Sequence, residues 1–153
     1  MMTVAKGVVV VALVLGAARA HAQTAQCVVT EIVASSDKKG LDPRLERLKA
    51  KLVRPPFSAW DTFVLVGEQS VSAERLKPAT APLTQGTLTL LYKDKMAAQG
   101  GRARLRFGVD LDNKQGRRSV STVVAFDAGD PLLIAGEPVK GGTYILALGC
   151  TAP

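Results

Sequence analysis

At 153 residues, with formal net charge +7, one histidine and two cysteines, the chain has the length of a single domain. It contains no internal repeat and no low-complexity segment. So few histidines and cysteines exclude the metal sites built from several of them.

Lys6 precedes an apolar run, "GVVVVALVLGAA", and small residues follow in "ARAHAQ". A basic start, a short apolar core and an A-x-A site predict a signal peptide over residues 1–22, cut after Ala22 or alternatively after Ala20. The run falls short of the roughly 20 residues a bilayer span requires, so no transmembrane segment is expected in the mature form. Cutting after Ala22 leaves 131 of the 153 residues and lowers the net charge from +7 to +5. It also removes His21, the only histidine. A Ser-His-Asp or Cys-His site could not then be built, and no G-x-S-x-G motif or Gly-rich phosphate loop is present. A periplasmic or secreted location is expected, with no cofactor.

Residues 23–153 are expected to form one β-rich domain. "CVVTEIVASS" is rich in β-branched residues and reads as a strand. "DKKG" is a turn, and "LDPRLERLKAKLVRPP" reads as a helix of about three turns. Asp42 caps it, Pro43 suits its first turn, Leu45, Leu48 and Leu52 share a face, and Pro55-Pro56 ends it. Phe57, Trp60 and Phe63, three apart, suit an apolar plug where helix meets sheet. "SAWDTFVLVG" and "EQSVSAERL" read as two strands broken near Gly67-Glu68, and "KPATAPLTQG" as a loop. "GTLTLLYKD" alternates in polarity as a strand does.

In "GRARLRFGVDL" the residues Ala103, Leu105, Phe107, Val109 and Leu111 face one way and Arg102, Arg104, Arg106 and Asp110 the other. "DNKQG" turns the chain into "RRSVSTVVAF". "PLLIAG" and "TYILALGC" follow, the last apolar on both faces and so expected in a sheet interior. About eight short strands with one N-terminal helix predict a mostly β fold, an antiparallel β-sandwich or barrel.

Cys27 and Cys150 stand near the two ends of the chain that follows residue 22. An even count without C-x-x-C spacing predicts a structural disulfide in an oxidising compartment.

Arg102, Arg104 and Arg106, joined by Arg118 from the next strand, form a basic stripe that suits an anionic partner, either an envelope protein or an acidic glycan or lipid. The same stripe is also what a solvated face that discourages edge pairing would carry. The seven aromatic residues are spread over apolar faces with no stacking row, which argues against nucleic acid. Asp110, Asp112, Asp127 and Asp130 offer an alternative, a carboxylate enzyme or metal-binding protein. "DLDNKQG" has oxygen ligands at alternate positions, but Lys114 stands where a calcium loop needs oxygen and the distal glutamate is missing.

"DPRLERLKAKLVRPPFSAWDTFVLV", with its F-S-x-W/Y-x-T/S-F-x-L strand entry, and the closing "GGTYILAL" resemble small exported β-domain proteins of deltaproteobacterial type. The resemblance spans most of the chain after residue 22 and implies an exported β-domain. It brings no assigned activity, so no functional residue carries over. The expected function is therefore an exported, non-enzymatic binding or structural module of the cell envelope.

Overall fold

The computed structural model describes residues 23–97 and 100–153; the expected signal peptide lies outside them. Among the described residues there are nine strands: β1 (Thr24–Ser35), β2 (Gly40–Leu41), β3 (Thr62–Glu74), β4 (Pro78–Leu83), β5 (Gly86–Met96), β6 (Arg104–Asn113), β7 (Arg118–Asp127), β8 (Leu132–Val139) and β9 (Gly142–Thr151). They form two sheets, ordered β2-β3-β1-β9-β8 and β4-β5-β6-β7. The fold is a β-sandwich rather than a closed barrel.

The first and last long strands pair antiparallel along most of their length, from Gln26 opposite Thr151 to Ala34 opposite Thr143. Cys27 falls directly opposite Cys150, and the two are joined in a disulfide across a Cα–Cα distance of 4.0 Å. Side-chain alternation divides each strand between two cores. Ala25, Cys27 and Val29 of β1, and Tyr144, Leu146, Leu148 and Cys150 of β9, face the second sheet. There they meet Leu88, Leu90, Tyr92, Leu105, Phe107, Val109 and Phe126. The Phe107 ring stacks on Tyr92 at 5.2 Å and on Phe126 at 5.7 Å. Ile32, Ala34, Ile145 and Ala147 point to the opposite face, beneath a helical arm. The apolar character of "TYILALGC" on both faces thus reflects burial on both sides, and β9 has a bonded neighbour on each.

The arm is tighter than a three-turn α-helix. It runs as a 3₁₀ segment (Pro43–Leu48) into a single α-helical turn, α1 (Lys49–Leu52). In a 3₁₀ helix residues three apart eclipse one another, so Leu45 and Leu48 drop onto the sheet together. Leu52 follows them, and all three are buried. Asp42 caps the arm: its Oδ1 accepts from the Arg44 backbone N–H at 3.0 Å, and its Oδ2 accepts from the β3 amide of Leu65 at 3.2 Å. Phe57 and Trp60 pack with buried Phe63 at the base of the arm, as their spacing suggests.

Two expected elements differ. The break near Gly67-Glu68 is absent: β3 is continuous and absorbs one extra residue where the register with β1 shifts between Glu31 and Ile32. The expected loop at 77–86 contains β4, paired to β5 from Pro78 opposite Leu91 to Leu83 opposite Gly86. Its prolines are tolerated because β4 is an edge strand with one side free of ladder bonds.

The disulfide closes almost the whole domain, with a sequence separation of 123. In the chain-entropy description a loop of that size is worth about 5 kcal/mol. Replacing Cys27 and Cys150 together by alanine should lower the unfolding free energy by about 3–5 kcal/mol in denaturant titrations. A loss under about 1 kcal/mol would mean that the staple contributes little beyond the ladder it joins.

Candidate functional site

The arginine-bearing strand β6 runs through the interior of the four-stranded sheet, and its even-numbered residues face outward, away from the core. Register decides which carboxylate each guanidinium meets. Arg104 lies opposite Asp127 of β7, Nε to Oδ1 at 3.5 Å, and its Nη2 donates to the Ala125 carbonyl at 2.9 Å. Arg106 lies opposite Asp94 of β5 and pairs with its Oδ2. Arg118 bridges Asp112 (Nε to Oδ1, 2.9 Å) and Asp110 (Nη1 to Oδ2, 3.1 Å). Hydrogen bonding from Arg118 holds the Asp112 carboxyl below its ordinary value, and Asp112 in turn raises the guanidinium. The side chains of Arg104, Arg106 and Arg118 remain 48%, 44% and 50% exposed. Arg102, in the exposed segment before β6, has no carboxylate partner among the described residues.

The expected stripe is therefore a ladder of alternating charge. Such pairs relieve the repulsion that adjacent arginines would otherwise feel, and exposed pairs of this kind add little to stability.

The four aspartates do not converge. Asp110 and Asp112 share Arg118, Asp127 holds Arg104 at the far end of the β6–β7 ladder, and Asp130 takes Lys51 of the arm at 3.1 Å. In the hairpin "DNKQG", Asn113 Oδ1 accepts from the amides of Gln115 (3.1 Å) and Arg117 (3.0 Å), which is turn formation rather than ligation. Among the described residues no three His, Cys, Asp or Glu side chains are grouped to hold a metal ion. No helix among them is long and apolar enough to cross a membrane.

One polar cluster escaped the sequence reading. Glu31 occupies an inward position of β1 and is only 4% exposed. Its Oε1 accepts three hydrogen bonds: from the Thr84 amide at 2.7 Å, the Thr84 hydroxyl at 2.8 Å and the Tyr144 hydroxyl at 2.7 Å. The donors come from the β4–β5 turn and from β9, so a single carboxylate ties the two sheets together. Gly67 is needed opposite it, because a Cβ at that position would overlap Glu31 Oε2. The available signal was the alternation itself: Cys27, Val29 and Glu31 share a face, and a charge in that series must find donors inside. A cleft of about 140 Å³ opens at this end of the sandwich, lined by Leu83, Leu111, Asn113, Lys114, Val139 and Tyr144. Asp112 reaches its rim with its carboxylate already held by Arg118.

No family model, curated protein or solved structure matches the chain.

Both tyrosines of the chain are buried. Burial first, then the hydrogen bond to Glu31 and its charge, push the Tyr144 hydroxyl far above the ordinary 10.0. Tyr92 is raised chiefly by burial, with Asp94 adding to the rise and Arg75 opposing it. A phenol raised on folding contributes stability that is complete below about pH 10 and is lost as pH climbs toward its folded value. Alkaline titration should therefore show no tyrosinate absorbance near pH 10 while the protein stays folded, and its sudden appearance on unfolding. A tyrosine titrating near pH 10 in the folded protein would contradict the burial of these hydroxyls.

Proposed function

We propose that the chain is an exported, non-enzymatic binding or structural module of the cell envelope. Its contact surface is the outer face of the four-stranded sheet, where it meets an anionic group of an envelope protein, glycan or lipid. The buried Cys27–Cys150 disulfide supports export, because such bonds persist in oxidising compartments. A binding role is favoured over catalysis by the engagement of the aspartates: Asp110 and Asp112 share Arg118, Asp127 takes Arg104 and Asp130 takes Lys51.

The observation that carries the reading is the half-exposed guanidinium row. Arg104, Arg106 and Arg118 are oriented by their aspartates yet keep accessible surface. A planar fork already held in place loses less freedom when it meets a carboxylate, sulfate or phosphate. Because the aspartates cancel much of the long-range field, recognition here works at contact distance and weakens with salt.

Replacing Arg102, Arg104 and Arg106 together by glutamine removes the guanidinium charges without placing new acids beside Asp94 and Asp127. Retention on a sulfated or phosphorylated matrix, and on the envelope fraction, should weaken by about tenfold at low salt, as expected for a few exposed charge contacts. The thermal midpoint serves as a folding control. Unchanged retention by the folded triple variant would remove this face as the contact surface.

A further inference from the structure

The edges of the two sheets are not alike. β4 carries Pro78 and Pro82, which cannot donate to a new strand. β8 contains Gly136, Glu137 and Pro138, with a register shift between Ala135 and Pro138. On the other side of the five-stranded sheet, β2 is only two residues long. The edge strand β7 has neither proline nor glycine, and its irregularity is confined to its start, where Ser119 is an extra residue and the register with β6 shifts between Leu111 and Asp112. It runs for ten residues with β6 as its sole bonded neighbour among the described residues, and from Ser119 to Phe126 it holds no charge, proline or glycine. Val123, at its middle, is 58% exposed.

Hydrogen-bond direction along this edge follows from one bond. Ala128 N–H donates to the Ala103 carbonyl at 2.9 Å, in the same register as the β6–β7 ladder. Antiparallel alternation then turns the backbone N–H and C=O groups of Ser121, Val123 and Ala125 away from β6. Arg104 Nη2 meets the Ala125 carbonyl, in keeping with that direction.

We propose that β7 pairs antiparallel with β7 of a second copy, about a two-fold axis through Val123, joining the two four-stranded sheets into one. An axis through any residue from 121 to 125 sets outward-facing groups opposite one another; the axis through Val123 places the exposed apolar side chain at the middle of the strand against its own copy. Val123 then packs against its own copy and Ser121 faces Ala125. Each end brings Arg118 of one copy beside Asp127 of the other. This charge order suits a second copy, because the strand is basic at its start and acidic at its end and antiparallel pairing sets those ends together. A self-complementary patch of this kind gives a closed dimer rather than a filament. The arginine rows of both copies would then lie on one continuous outer face.

Sedimentation velocity on the disulfide-bonded protein at micromolar concentrations should show a dimer. Val123→Lys sets two ammonium groups against each other on the axis and should yield a monomer that still unfolds cooperatively, with a thermal midpoint that no longer depends on protein concentration. Independently, Val123→Cys should join two chains through a short thiol-specific cross-linker, whereas Ser121→Cys, which faces Ala125, should not. A protein monomeric throughout that range, or a dimer that survives Val123→Lys, would overturn the proposal. Cross-linking through Ser121→Cys as readily as through Val123→Cys would overturn the register.

Discussion

The antiparallel pairing of β1 with β9 is the constraint on which the rest of the structure depends. It brings together the two ends of the described domain inside one sheet, sets Cys27 against Cys150, and builds the floor shared by both cores. Ala25, Val29, Leu146 and Leu148 form the wall against which the second sheet packs. Ile32, Ala34, Ile145 and Ala147 form the bed of the helical arm. Such pairing is entropically late, because contacts between distant chain segments must close a long loop before they stabilise anything. The disulfide shortens that loop permanently once it has formed.

Glu31 shows how the same strand carries both stability and a local conflict. A carboxylate on the core face is expensive unless its oxygens are satisfied, and here Thr84 and Tyr144 supply neutral donors from two other elements. The extra residue in β3 and the missing side chain at Gly67 make the room. Removing any one of these features would leave polar groups stranded between the sheets. On the outside, Arg104, Arg106 and Arg118 obey the same rule with solvent's help: they find aspartates across the ladder and keep part of their surface in water.

Much of the architecture was legible in the residue pattern. The alternation of "GRARLRFGVDL" told which side chains fill the core, the doubly apolar "TYILALGC" told of an interior strand, and two cysteines told of one bridge. What escaped has a common cause. β4 was hidden because proline counts against a strand in general but not against a free edge. Gly67 looked like a break because its role is to accommodate Glu31, a contact made across strands. The arginine stripe looked uncompensated because Asp94 and Asp127 stand 12 and 23 residues from Arg106 and Arg104, and only the ladder register brings them opposite. Alternation assigns faces well, but partners on a face depend on which strands pair and where bulges shift them.

If the β1–β9 ladder closes the domain, its amides should be the last to exchange. Native-state hydrogen exchange through a denaturant series measures this directly, reporting an opening free energy for each amide. The backbone amides of Val29, Ile32, Ile145 and Leu148 should exchange only through global unfolding, with the same free energy and denaturant dependence as the whole protein. Should β1 and β9 instead open together at a lower free energy while β5 and β6 stay protected, the domain would be organised around the four-stranded sheet and this account would be wrong.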